Sequence, residues 1–241
     1  MKTKLAAALS ALCLLSGCAL SADTEALLRA PQLSGESRAL QKALNNYLNT
    51  AVTLKYPNSG DFLSPFAFGD WDGDGDDEAA VLYTADSAGT NVWLAVLEAD
   101  VDGDGWRVSQ TVEGLSGEVE VFSAAHLRDT VSQQLIAGYT SAQGDSYLVV
   151  YRYADGSLNT VISQSYTNMI LADFTGKGDT QDLVLALPAE SDFGGVALQL
   201  LTNVDGEFRS AQTLNLGEGI YTGCAALQAG RGIDQHTYLV M

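Results

Sequence analysis

Six of the nine residues at positions 70–78 are acidic, and such crowded charges repel one another unless a cation lies among them. Acids at the first, third, fifth and ninth places, with a glycine at the sixth, match the start of an EF-hand-like calcium loop. Calcium prefers hard oxygen ligands, so the spacing predicts a Ca²⁺ site in this loop. The predicted ligands are the side chains of Asp70, Asp72, Asp74 and Glu78 and the backbone carbonyl of Asp76.

The end of this loop differs from an EF-hand. Its twelfth place is Val81, which cannot supply a closing carboxylate, and the residues after Glu78 are apolar and typical of a strand. We therefore predict a calcium loop between two β-strands. The alternative is a solvated acidic turn without an ion.

A second acidic cluster contains Asp100, Asp102 and Asp104. It lacks an acid at the ninth place, which is Val108. Two interpretations remain open: an Asp-Gly hairpin turn between strands, or a weak second calcium site.

The chain after position 65 repeats with a period of about 50 residues, in units that start near positions 70, 125, 173 and 227. Each full unit has apolar strand-like runs and an Asp-Gly pair, at positions 102–103, 155–156 and 205–206. Repeated units of three or four antiparallel strands are typical of β-propeller blades. The sequence therefore predicts an all-β fold with propeller-like repeats over residues 65–241. A β-sandwich is the weaker alternative.

The fourth unit stops at Met241, shortly after a loop expected over residues 227–236. We count three blades and the start of a fourth, whereas propellers use about 4 to 8 blades. An unfinished blade would expose a strand edge. We therefore expect this chain to be an incomplete or early-terminated form of a longer one.

The later loops lack the full set of predicted ligands. The third unit aligns Asp173 with Asp70, and the second unit places Ala125 at the same position. The residues of the third unit at the other ligand places are Thr175, Lys177 and Gln181. We expect the third loop to be metal-free, with the Lys177 ammonium in the place of the cation.

Residues 34–64 predict a helix and a short strand before the repeats. Ser34 can cap the helix, and an apolar stripe follows with helical spacing. The stripe consists of Leu40, Ala43, Leu44, Tyr47 and Leu48. Apolar residues then alternate from Val52 to Tyr56, as in a strand. We expect the helix to pack against the repeats.

Residues 1–17 have the layout of a bacterial lipoprotein signal peptide. Two lysines precede an apolar run that is too short to span a bilayer comfortably, and Leu-Ser-Gly-Cys ends at Cys18. This ending resembles the lipobox, which implies that Cys18 carries the lipid and that residues 18–33 form a tether. The alternative is an ordinary secretory signal cleaved near Ala19 or Ala22.

Charge limits the classes of partner. The net charge of −18 becomes −20 without residues 1–17, because these hold two lysines and no acid. So negative a surface repels nucleic acid, and no nucleic-acid partner is expected. The expected partners are the membrane, through the lipid anchor, and an extracellular protein or glycan. The expected location is the extracytoplasmic face of the bacterial cell envelope.

The sequence gives little support to catalysis. His126 and His236 are the only histidines, and neither lies near a recognisable nucleophile motif. We therefore expect no catalytic residues. The alternative is a propeller hydrolase or lyase that acts on extracellular polysaccharide. Such an enzyme would need acids that flank a cleft, whereas the acids here gather in one loop.

The acidic loop and its flanks resemble the FG-GAP or VCBS-type repeats of integrin-α-like propellers. The resemblance rests on Phe68-Gly69-Asp70 before the loop and on Asp173-Phe174-Thr175-Gly176 in the third unit. It covers roughly residues 65–241 and implies calcium bound between strands of one blade. It also implies a noncatalytic ligand-binding or adhesion-type module. The chain departs from the family in that no Gly-Ala-Pro motif is present.

Overall fold

The computed structural model describes residues 34–60, 63–85, 91–100, 105–188, 195–216 and 223–241. Within these residues a single helix, α1, spans Gly35–Leu48 and packs on the strand Trp106–Ser116. Leu40 and Leu44, one turn apart, are fully buried, which confirms the predicted helix and its packing. Tyr47 belongs to the predicted stripe but is exposed. The buried residues of the helix are Leu40 and Leu44.

No membrane-spanning helix is found in the described part of the chain. The helix α1 is too short and too polar to cross a bilayer.

The described strands follow one another in four antiparallel sheets. In chain order they are β1 Thr53–Leu54, β2 Phe66–Gly69, β3 Glu78–Thr84, β4 Asn91–Ala99, β5 Trp106–Ser116, β6 Glu118–Ala125, β7 Gln134–Thr140, β8 Ser146–Ala154, β9 Ser157–Tyr166, β10 Asn168–Ala172, β11 Asp182–Pro188, β12 Val196–Val204, β13 Glu207–Leu216, β14 Gln228–Arg231 and β15 Thr237–Val240. The first sheet has β1 and β2 on one side of β3, followed by β4 and β5. The second sheet runs β6 to β9, the third β10 to β13, and the fourth contains β14 and β15.

Side chains of the second sheet alternate between its two neighbours. In β7, Leu135, Ala137 and Tyr139 lie in a core shared with the first sheet, whereas Ile136 lies in a core shared with the third. Sheets that bury both faces against successive sheets are packed like propeller blades, not like a two-layer sandwich. Over the described residues the fold is therefore mostly β, with propeller-like repeats preceded by the helix α1, as predicted.

Two of the predicted Asp-Gly turns are confirmed. Asp155 and Gly156 have φ of +54° and +69°, and Asp205 and Gly206 have φ of +57° and +83°. Positive φ at both central residues is the requirement of a tight type I′ hairpin, and it explains the choice of Asp-Gly. The pair at 102–103 lies outside the described residues.

The loop of the hairpin in the fourth sheet is shorter than predicted. Gly230 lies within β14 and pairs with Tyr238, so the predicted loop over residues 227–236 is wrong. The turn is instead closed by a hydrogen bond from Gly232 N to the His236 carbonyl (2.8 Å). A ladder of four residue pairs therefore replaces the first half of the predicted loop.

Replacing Gly117 by Ala should lower the free energy of unfolding by about 2–4 kcal/mol. Gly117 connects the first sheet to the second with φ of +122°, and an added Cβ would overlap the carbonyl oxygen of Thr140. The matched control is Gly144→Ala, because Gly144 has φ of +91° and open space around it. Only strain acts there, and we expect a loss of about 1 kcal/mol. Urea denaturation measures both, and equal losses would contradict the steric argument.

Candidate metal centre

The first loop, residues 70–77, connects β2 to β3 and folds around Asp70. Its Oδ1 accepts a hydrogen bond from Gly73 N (2.7 Å), and its Oδ2 accepts one from Gly75 N (3.0 Å). Both glycines have positive φ, of +85° and +97°, which a side chain would strain. The Asp70 carboxylate therefore closes the loop from within.

Three of the predicted ligands converge at this loop. One carboxylate oxygen from each of Asp70, Asp72 and Glu78 lies within 4.8 Å of the other two. Oxygens that share a calcium at about 2.3–2.6 Å are at most about 5 Å apart, so this spacing suits one cation. Asp72 is exposed and Glu78 is buried, so the group extends from the surface into the base of the loop. These three carboxylates can hold a metal ion.

The buried member of the group is electrostatically unfavourable in its charged form. Among the described hydrogen bonds, Glu78 accepts only one, from Trp71 N to Oε2 (2.9 Å). Burial is the largest cause that raises the pKa of Glu78 to about 7, and the neighbouring carboxylates add to it. Burial also raises the pKa of Asp72. A divalent cation would relieve this unfavourable charge, because it interacts with all three carboxylates at once.

The other two predicted ligands lie on the exposed part of the loop. Asp72 Oδ1 accepts a hydrogen bond from Asp74 N (3.1 Å), and Asp74 Oδ1 accepts one from Asp76 N (2.9 Å). Ligation by the Asp74 side chain and the Asp76 carbonyl remains a prediction.

The first three sheets share a structural feature at the start of the strand that follows each loop, namely β3, β7 and β11. A polar side chain there accepts a hydrogen bond from the backbone N–H of the second residue in the preceding loop. The acceptors are Glu78, Gln134 and Asp182, and their respective donors are Trp71, Leu127 and Phe174. Each acceptor residue also pairs with the last residue before its loop, namely Gly69, Ala125 and Ala172.

This register corrects two of the sequence alignments. Asp182 takes the place of Glu78, and Gln181 does not, because the third loop, residues 173–181, is one residue longer than the first. His126 takes the place of Asp70, because Ala125 still belongs to β6. The sequence does contain the signal for this register: each acceptor is the polar residue immediately before an apolar run.

Protein donors surround the carboxylates of the third loop. Asp173 accepts hydrogen bonds from Gly176 N (2.7 Å) and Gly178 N (2.9 Å), as Asp70 does from its glycines. The fully buried Asp182 accepts from Phe174 N (2.8 Å), from Thr175 N (2.7 Å) and from the hydroxyl of Thr202. Buried carboxylate oxygens with this many donors are stable without a cation.

Lys177 does not act as the cation of the third loop. Its Nζ donates a hydrogen bond to the carbonyl of Asn203 (2.6 Å) in β12, so the predicted role is wrong. The backbone donors around Asp173 make an ammonium inside the loop unnecessary. Within the described residues, the first loop alone has a group of three metal-ligating side chains.

Cys18, Asp102 and Asp104 lie outside the described residues. Asp100 follows β4 directly, and its N–H donates to the carbonyl of Gly105, the residue before β5 (2.9 Å). This bond suits the hairpin interpretation, and the second calcium site remains an untested alternative.

We predict that calcium stabilises the protein more at pH 8 than at pH 6. The folded-state pKa of Glu78, about 7, exceeds its ordinary value of 4.5, so the metal-free fold retains a proton that the unfolded chain releases. The stability due to this proton is complete below about pH 4.5 and is lost as the pH rises through about 7. Calcium binds the deprotonated carboxylate, so its affinity rises over the same interval.

Melting temperatures at both pH values, with calcium and with chelator, check this prediction. The variant Glu78→Gln is the control, because it removes the titrating group. An equal gain from calcium at pH 6 and pH 8 in the unaltered protein would contradict the assignment.

Fold and site together define a class: a propeller-like β-repeat protein with a candidate metal loop in its first repeat. No protein-family model and no curated protein matches the chain. Among solved structures, the chain is similar to the rhamnogalacturonan lyase YesW, determined at 1.40 Å resolution. The two are 16% identical with a TM-score of 0.38, over 72% of this chain and 42% of the lyase chain. This chain thus spans less than half the length of the lyase.

Proposed function

We propose that this chain is a calcium-stabilised, noncatalytic propeller module of the FG-GAP or VCBS type, held at the extracytoplasmic face of the cell envelope by lipid on Cys18. The observation that carries the calcium proposal is the difference between Glu78 and its counterparts. Gln134 is uncharged, and Asp182 has three protein donors, whereas Glu78 faces Asp70 and Asp72. A cation is the missing partner that would make the first loop as well satisfied as the others.

Calcium is the cation that the loop favours. All of its predicted ligands are oxygens. Gly73 and Gly75 have positive φ and allow a tight turn, and the carboxylate of Asp72 is open to solvent. Magnesium requires a smaller, regular octahedron of ligands and gives up its water reluctantly. A loop that surrounds the ion with several protein oxygens therefore suits magnesium less well than calcium. The proposed role is structural: binding to the folded state alone stabilises it through linkage.

Thermal unfolding with calcium, with magnesium and with chelator tests this proposal. Calcium at one hundred times its Kd should stabilise the fold by about 2.7 kcal/mol, and magnesium at the same concentration by much less. The matched variant is Asp72→Asn, which retains an oxygen to accept from Asp74 N but removes a charged ligand. Identical melting of the unaltered protein with calcium and with chelator would refute the calcium site.

The lipid anchor is proposed from the sequence around Cys18. A covalent lipid would hold the chain at the membrane although its strongly acidic surface repels anionic lipid head groups. Fractionation of cells that express the full chain and its Cys18→Ala variant tests it. The variant should leave the membrane fraction, and a variant that remains there would refute lipidation.

A binding role at the loop end is proposed for the repeats. The loops at the ends of β6 and β10 lie at the same end of their sheets as the Asp-Gly turns at 155–156 and 205–206. The loop at the end of β2 lies at the same end of its sheet as the start of β5. Loops on a rigid scaffold are the usual place for recognition, and an extracellular protein or glycan is the proposed ligand. The second loop, residues 126–133, connects β6 to β7. His126 lies in this loop with its Nδ1 3.3 Å from the Ser132 carbonyl, and no catalytic role is proposed for it.

A further inference from the structure

The first loop is in direct contact with the second sheet. The carbonyl of Asp70 accepts a hydrogen bond from Gln133 N (3.0 Å), the residue just before β7. An added Cβ on Gly69 would overlap Gln133 Oε1, and one on Gly73 would lie 2.8 Å from Val131 Cγ1. The second loop therefore lies against the end of β2 at Gly69 and against the first loop at Asp70 and Gly73.

The side chain of Trp71 extends this contact into the core. Trp71 follows Asp70 directly, is fully buried, and belongs to the core shared by the first and second sheets. Its backbone N–H is the donor to Glu78. The same short segment therefore holds the carboxylates on one side and the second sheet on the other.

This arrangement couples cation binding at the first loop to the contact between the first and second sheets. The carboxylates of Asp70, Asp72 and Glu78 repel one another. This repulsion acts on residues 70–71, where the Asp70 carbonyl and the Trp71 indole contact the second sheet. A cation that cancels the repulsion favours the conformation in which Trp71 is buried and Asp70 accepts from Gln133. Opening of this contact is therefore less favourable while the cation is bound.

We propose that cation binding at the first loop controls the docking of the second sheet onto the first. The proposal rests on the proposed calcium site and adds to it a place of action: the junction between two blades. By thermodynamic linkage, the proposal requires that the cation bind the docked state better than the undocked state.

The third sheet supplies a matched internal control. Gln181 N donates to the carbonyl of His126 (2.8 Å), in the position that Gln133 N has on Asp70. The two bonds join successive sheets in the same way, but only the bond to Asp70 adjoins the candidate metal group. A cation effect on docking should therefore appear at Gln133 and not at Gln181.

Amide hydrogen exchange of the full chain, with calcium and with chelator, tests the proposal. With free calcium at ten times the calorimetric Kd, an amide that opens only after the ion leaves should exchange about tenfold more slowly. We expect this slowing at Gln133 and an unchanged rate at Gln181. In the Asp72→Asn variant the slowing at Gln133 should disappear.

Slowing confined to residues 70–78, with Gln133 unaffected, would overturn the proposal while leaving the calcium site intact. Equal slowing at Gln133 and Gln181 would also overturn it, because calcium would then stabilise the whole domain and not one junction. Absence of any calorimetric heat with calcium would refute the proposed site itself, and with it this inference.

Discussion

The variant Glu78→Gln should make the metal-free protein more stable at pH 8 and should weaken its calcium binding by at least about tenfold. A glutamine can still accept from Trp71 N, as Gln134 does from Leu127 N in the second sheet. The shift of the Glu78 pKa from 4.5 to about 7 corresponds to about 3 kcal/mol against its ionised form, which the substitution removes. The same substitution deletes a charged ligand. Gain of stability and loss of calcium binding therefore come from one change.

Unfolding at pH 8 in chelator, and calorimetric titration with calcium, measure the two effects. Gln134→Glu is the informative counterpart, because it places a buried charge at the equivalent point of the second sheet, beside His126 in place of Asp70. It should destabilise the protein without creating a calcium response. A Glu78→Gln variant that is less stable than the unaltered protein in chelator would contradict this account of Glu78.

The variant Asp182→Ala should lower the free energy of unfolding by about 3–5 kcal/mol, equally with calcium and with chelator. Asp182 is fully buried, and its loss leaves Phe174 N, Thr175 N and the Thr202 hydroxyl without their acceptor. The Thr202 hydroxyl is buried, and a buried donor left unpaired costs about 1–3 kcal/mol. Because these donors and not a metal satisfy Asp182, calcium should not alter the loss.

The neighbouring variant Gln181→Ala is the matched control. Its side chain is exposed, and its backbone N–H, which donates to His126, is retained. We expect a change below about 0.5 kcal/mol. Chemical denaturation followed by circular dichroism distinguishes the two alignments of the loop. A larger loss at Gln181 than at Asp182 would mean that Gln181 is the counterpart of Glu78.

Much of the fold is predictable from the sequence because its signals are local. Apolar runs of strand length, Asp-Gly turns and the acidic loop each depend on a few consecutive residues. The period of about 50 residues then predicts stacked blades, because one blade cannot bury both faces by itself. The convergence of Asp70, Asp72 and Glu78 follows from loop spacing in the same way.

The parts that were predicted wrongly depend on pairing between distant residues. The place of Asp182 is decided by its ladder partner Ala172 and by Thr202 on another strand, which a one-residue loop insertion conceals in a linear alignment. The partner of Lys177 is a carbonyl 26 residues away. Exposure of Tyr47 is likewise decided by where the sheet lies under the helix. None of these is determined by spacing along the chain.

Calorimetric titration of calcium into chelator-treated protein tests the central claim most directly. The account predicts a saturable heat with about one ion per chain, which disappears in the Asp72→Asn variant. Absence of heat at millimolar calcium, in protein whose far-ultraviolet circular dichroism confirms the β fold, would contradict it.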